Sequence, residues 1–172
     1  IRYGDKDNIM YRIENGKIKP SKKLADNLVA MLAGNNQFIM IDEQKVAYEM
    51  AIDLAHKASK GKKQVLIIEG GPGTGKSVLA INLLVELTKR EKLVQYVTKN
   101  AAPRAVFEAR LIGSIRKTNF TNLFKGSGSY TDSKVNVFDV LLVDDAHRLN
   151  EKSGMFQNLG ENQVKEIMIA TS

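Results

Sequence analysis

The sequence predicts an α/β fold of the doubly wound class: a parallel sheet flanked by helices, preceded by a small extension of hairpin and helix. Three observations point there. "QVLIIE" and "VFDVLLVDD" carry runs of apolar residues without alternation, as strands covered on both faces do, and "LVQYVT" lies between them. Helix-period segments separate these strands with short links, which suits parallel crossovers. The 172 residues, 43% hydrophobic and 26% charged, are enough for one core and show no internal repeat.

The elements follow in order. "MYRIENGKIK" alternates around Asn15-Gly16, a two-residue hairpin turn, and Pro20 ends it. Ser21 caps a helix over 22–32 with Leu24, Leu28 and Leu32 in one row and Gly34 beyond its end. These segments form an N-terminal extension over residues 1–37, ahead of the main lobe at 38–172. "NNQFIMIDEQ" passes through a short extended stretch, after which Asp42 caps a second helix with Val46, Ala47, Met50, Leu54, Ala55 and Ala58 on one face. "KASKGKK" is a charged loop. The strand at 64–69, a helix from Gly75 to about Arg90 and the strand at 93–98 come next. "APRAVFEARLIG" is helical, with Pro103 in its first turn. Residues 116–136, rich in Gly, Ser, Thr and Asn, read as a long loop or irregular insertion. Within them "RKTNFTNLFKGSGS" interleaves basic and aromatic residues, which suits either a mobile loop or a single-strand contact. The tail from Glu161 reads as a helix, with "EIMIATS" as a strand the other reading.

Composition removes several classes of function. No cysteine is present, so there is no disulfide framework or thiolate metal site, and His56 and His147 alone do not make a zinc site. No apolar run approaches the roughly 20 residues that span a bilayer, and no signal-peptide pattern opens the chain. The expected setting is cytoplasmic, with no membrane partner. The chain starts at Ile1, so it reads as a processed or excised piece. A net charge of +7 fits either a polyanionic partner or simply solvated lysines.

"GGPGTGKS", residues 70–77, fits G-x-x-x-x-G-K-[ST] between a strand and a helix. Its glycines allow backbone conformations closed to other residues, so that N–H groups along Gly71, Pro72, Gly73, Thr74 and Gly75 (proline apart) turn inward around phosphate oxygens. The helix start adds its dipole. Lys76 brings a cation to the β- and γ-phosphates, and the Ser77 hydroxyl can ligate magnesium. This is a nucleotide site, with ATP and Mg2+ as the expected cofactors. Downstream, "LLVDDAHRLN" ends an apolar strand on two acids. Asp144 can reach the magnesium shell beside Ser77, and Asp145 is the candidate to activate the attacking water. Lys76, Asp144 and Asp145 are thus the candidate catalytic residues.

"DDAH" resembles the acidic box of superfamily 1 and 2 helicase-like ATPases. "IDEQKVAYEMA" resembles the superfamily 1 segment whose glutamine reads adenine, which implies that role for Gln44; an exposed position at a helix start is the plainer reading. "YVTKNAAPRAVF" resembles the motif that contacts nucleic-acid backbone, which implies Thr98, Lys99 and Asn100; a strand exit that caps the next helix is the alternative. The run from "FIMIDEQ" to "LLVDDAHRL" is similar to the bacterial Schlafen-type, helicase-like P-loop family. That resemblance implies a RecA-like lobe that binds Mg-ATP, a nucleic-acid partner (DNA or RNA), and a second lobe in the full-length chain. Two features depart from the pattern. Asp145 stands where such boxes place glutamate, and the chain stops before a second lobe, so the fragment is expected to hydrolyse ATP weakly. The runner-up reading is an ATP-driven switch or nucleotide sensor without a nucleic-acid partner.

Overall fold

The computed structural model describes residues 26, 28–30, 38–58, 63–111, 117–153 and 159–171. The expected hairpin, most of the helix at 22–32 and most of the charged loop lie outside them. Residues 26 and 28–30 are helical, and Leu28 is fully buried.

Helix α1 (Asp42–Ala58) includes Asp42 in its first turn instead of using it as a cap. The flanking Ile41 N–H is satisfied by Gln44 Oε1 at 3.1 Å, the reach-back half of a capping box. Acids in its first turn and His56 and Lys57 in its last complement the helix dipole. Its inward face is Ala47, Tyr48, Ala51, Ile52 and Ala55, not the expected row through Val46 and Met50, which are 60% and 57% exposed. Tyr48 and Ile52 supply most of the apolar area on this face, with the three alanines packed beside them.

Helix α2 (Lys76–Lys89) buries Leu79, Ile81, Leu83, Leu84, Val85 and Leu87. Such an all-round apolar helix needs cover on both sides, and α2 has α1 on one side and the sheet on the other. The sheet is parallel, in the order β2-β1-β3, with β1 (Val94–Thr98) central and wholly buried. It pairs with β2 (Phe124–Gly126) on one side and with β3 (Val140–Asp144) on the other. Val94, Tyr96, Val140 and Leu142 share the face packed by α2 and by Phe107 of α3 (Ala101–Leu111). Val97, Leu141 and Val143 meet Tyr130, Ile167 and Ala170 on the opposite face. Both faces are therefore covered, as period-two alternation requires of a wound sheet. The fold is α/β, of the RecA-like P-loop kind.

Three further expectations need correction. Residues 64–69 form no strand among the described residues, and they lie open, with Val65 62% and Ile67 77% exposed. A strand requires a neighbour for its N–H and C=O groups, and no described segment pairs with this one. Its start is tethered by Lys63 Nζ, which donates to the Met168 carbonyl at 3.0 Å. Second, residues 116–136 are not one irregular loop. They contain α4 (Lys117–Leu123), β2 and a 3₁₀ turn (Ser127–Tyr130). Polar composition hid four apolar anchors, Phe120, Leu123, Phe124 and Tyr130, all buried. Phe120 and Phe124 stack at 4.5 Å. Third, β3 is half-buried apart from Asp144. The tail is helical, as α5 (Gln163–Ala170), because the Asn162 side chain caps Val164 N–H at 3.0 Å.

Candidate functional site

The phosphate loop joins the open 64–69 segment to α2. Gly73 and Gly75 hold φ of 75° and 79°, the left-handed region that glycine occupies without strain. A Cβ at Gly73 would meet nothing within 4 Å, so the loop's inner turn is open. At Gly75 a Cβ would collide with the Gln44 side-chain amide. Lys76 Nζ donates to the carbonyls of Gly70 and Gly71 at 2.6 and 2.7 Å, and Thr74 Oγ1 donates to Gly71 O at 2.9 Å. The loop thus turns carbonyls toward its own lysine.

Gln44 reaches the loop from α1. Its Nε2 donates to Thr74 O at 2.8 Å, while Oε1 holds Ile41 N–H. An amide carries two N–H donors and two lone pairs, so one of each is left for a base edge.

Ser77, on the first turn of α2, donates through Oγ to Asp144 Oδ2 at 2.7 Å. That single bond joins the phosphate loop to the acidic box. Asp144 ends β3 opposite Thr98 of β1 and is only 7% exposed. Its Oδ1 accepts Asp145 N–H at 3.0 Å. Tyr96 OH donates to the same Oδ2 that Ser77 uses. Burial, together with this hydrogen bond to the carboxylate, pushes the Tyr96 phenol far above its ordinary range. The sequence reading missed Tyr96. Its signal was a hydroxyl-bearing aromatic inside a wholly buried strand, two residues before that strand's polar end.

Asp145 follows at φ 52°, ψ 43°, a left-handed position. Its carboxylate is partly exposed, and Arg148 Nε lies 3.9 Å from Oδ2, in the 3₁₀ turn Ala146–Arg148. The strand exit is arranged for capping. Thr98 is fully buried and its Oγ1 accepts Asn100 N–H at 3.2 Å, while Asn100 Oδ1 accepts Ala102 N–H at 3.0 Å at the start of α3. Only Lys99 of these three is exposed; its Nζ donates to Asn150 Oδ1 at 2.6 Å. Lys99, Asn100, His147, Arg148 and Asn150 line a cleft of about 560 Å³, whose cationic groups would attract an anion.

The residues fit magnesium and a nucleoside triphosphate. Among the described residues no group of three or more His, Cys, Asp or Glu could cage a metal. A hydroxyl and one carboxylate beside a phosphate cradle is instead the donor set magnesium takes when it shares its shell with phosphates and water. No helix among the described residues is long and apolar enough to cross a membrane.

Two comparisons with known proteins return matches. The family model for the Schlafen group 3 DNA/RNA helicase domain matches residues 63–172. The chromosomal replication initiator protein DnaA of Borrelia turicatae (strain 91E135) is 33% identical over 125 residues, 71% of this chain and 23% of that protein. DnaA of Borrelia hermsii (strain HS1 / DAH) is similar to the same extent. The chain therefore spans about a quarter of the length of these relatives, 23%. No solved structure matches it.

Proposed function

The chain belongs to the Schlafen group 3 DNA/RNA helicase-domain family, and from that premise we propose that it is the ATP-binding lobe of a nucleic-acid-dependent ATPase. The observation that carries this reading is the Ser77–Asp144 hydrogen bond at 2.7 Å, which brings a phosphate loop and an acidic strand end into one site. Lys76 neutralises the β- and γ-phosphates, and the N–H groups of residues 71–75 other than Pro72 cradle them. Gln44 offers its spare donor and acceptor to adenine. Ser77 and Asp144 would hold magnesium; when bound, the ion supplies charge neutralisation at the phosphate oxygens. Asp145 orients the attacking water and takes its proton. A second lobe in the full-length protein supplies the transition-state arginine. The 560 Å³ cleft beside Asp145 supports a polyanionic partner, with Lys99 exposed in it and Arg148 shared between cleft and acid. The DnaA relatives are named for initiating chromosomal replication, which supports a nucleic-acid setting.

A nucleotide sensor is the second reading, favoured by the contact between Asp145 and Arg148, which draws the acid away from a water-activating role. Steady-state ATP hydrolysis by the full-length protein, with and without single-stranded DNA and RNA, separates the two. Stimulation by a strand is the expected result. Turnover indifferent to both strands would indicate a switch, and tight binding without turnover a sensor. Lys76→Ala should weaken ATP binding by about a hundredfold or more, as lost charge-assisted hydrogen bonds of 1.5–3 kcal/mol each imply; unchanged affinity would remove the phosphate-loop assignment.

A further inference from the structure

We propose that Tyr96 is a positioning residue for the metal-side carboxylate: its phenol hydroxyl, delivered from inside the sheet to Asp144 Oδ2, fixes the edge that Asp144 turns toward Ser77. The inference rests on the reading above, in which Ser77 and Asp144 flank the magnesium of a bound nucleotide.

The register places the three groups together. Asp144 pairs with Thr98, so Tyr96 stands two residues back on the adjacent strand, opposite Leu142. Residues 96 and 142 lie on the face that α2 covers, and α2 begins with Lys76 and Ser77. Tyr96 is fully buried. Its ring is held edge-on by Phe107 at 5.8 Å and at a tilt by Phe124 at 5.5 Å. The hydroxyl is therefore carried on a ring that cannot swing, and it reaches the carboxylate at one point.

A carboxylate at a strand end can rotate about its last torsion, which is broad and roughly two-fold. Three donors remove that freedom here. Ser77 and Tyr96 share Oδ2, and the Asp145 N–H holds Oδ1. An ionised carboxylate has about four acceptor sites, so roughly one is left to face an incoming ligand. Ser77 is exposed and, on the reading above, also serves the nucleotide, so its hydroxyl is the one shared with the ligand. Tyr96 is the fixed one.

A second tyrosine provides the control. Tyr130 is also buried, and its hydroxyl donates to Gln95 Oε1 at 2.8 Å, a neutral amide on the other sheet face. Removing that hydroxyl opens a comparable buried hydrogen bond without touching the acidic box.

The test titrates Mg2+ against binding of a fluorescent ADP analogue to the purified chain, with Mn2+ binding by electron paramagnetic resonance as a readout independent of turnover. Tyr96→Phe keeps the ring and loses the hydroxyl. The Mg2+ concentration at half-maximal binding should rise about tenfold or more, the scale of one hydrogen bond to a charged group. Affinity in chelator should stay as in the wild type, and Tyr130→Phe should keep the wild-type Mg2+ requirement. Should Tyr96→Phe not fold, Phe107→Leu loosens the ring and should raise the requirement about twofold. A wild-type metal requirement in folded Tyr96→Phe, or in Phe107→Leu where that variant is needed, overturns the proposal. Nucleotide binding by the wild type that ignores Mg2+ would instead overturn the metal-site reading beneath it.

Discussion

Residues 65–68, "VLII", and residues 140–143, "VLLV", are almost the same text with opposite outcomes. The second run is strand β3, paired with β1 along its length and covered in part on both faces. The first forms no ladder and exposes Val65 and Ile67 to solvent. An apolar run states what a segment would gain from burial, while strand formation depends on a partner that its own letters do not contain. The two halves of the nucleotide site inherit this difference. The acidic half rests on the sheet, with the buried Tyr96 hydroxyl donating to Asp144. The loop half is held by its own lysine and threonine and by Gln44 from α1.

Substitutions can break this contrast or sharpen it. The largest effect is expected where both halves share support. Leu84 in α2 is fully buried, and Leu84→Ala should destabilise the fold by about 2–5 kcal/mol in a denaturant titration. A smaller loss would mean that α2 is less central than its packing implies. Gly75→Ala strikes the loop half alone. It asks a side-chain residue to hold φ 79° and displaces Gln44, which should cost about 1–2 kcal/mol and lower nucleotide affinity about tenfold. Retained affinity would show that the loop does not need its left-handed turn. The smallest effect tests the two runs directly. Val143→Ala should cost about 1 kcal/mol because the side chain is half-buried, whereas Ile67→Ala, at 77% exposure, should stay within about 0.5 kcal/mol. Equal losses at the two positions would erase the contrast.

Most of what positions the site was legible in the sequence. The glycines and Lys76 of the phosphate loop declare themselves because backbone geometry restricts those positions to few residue types. α2, β1 and α3 follow from periodicity and a tolerated Pro103. Asp144 stands out as a candidate because an acid ends an apolar strand downstream of the loop, and the structure brings it to 2.7 Å from Ser77. Tyr96 was not, since a tyrosine in a strand reads as core, and only register brings its hydroxyl to Asp144. The inward face of α1 and the small elements between residues 117 and 130 were missed for a related reason. Their burial is decided by a few large side chains, Tyr48, Ile52, Phe120 and Phe124, whose partners lie elsewhere in the chain. Thr98 and Asn100 carry a capping role in the structure that the sequence left open beside nucleic-acid contact.

The left-handed backbone at Asp145 bears on how much change the position can absorb over evolutionary time. Aspartate, asparagine and glycine tolerate φ near 52° far better than longer or branched residues. In the role proposed above, taking a proton from the attacking water, the side chain is a carboxylate, which aspartate supplies and asparagine and glycine do not. Aspartate meets both demands at once. A longer acid would gain reach but would carry it on a left-handed backbone that favours the shorter side chain, so under that proposal the short arm and the turn belong together.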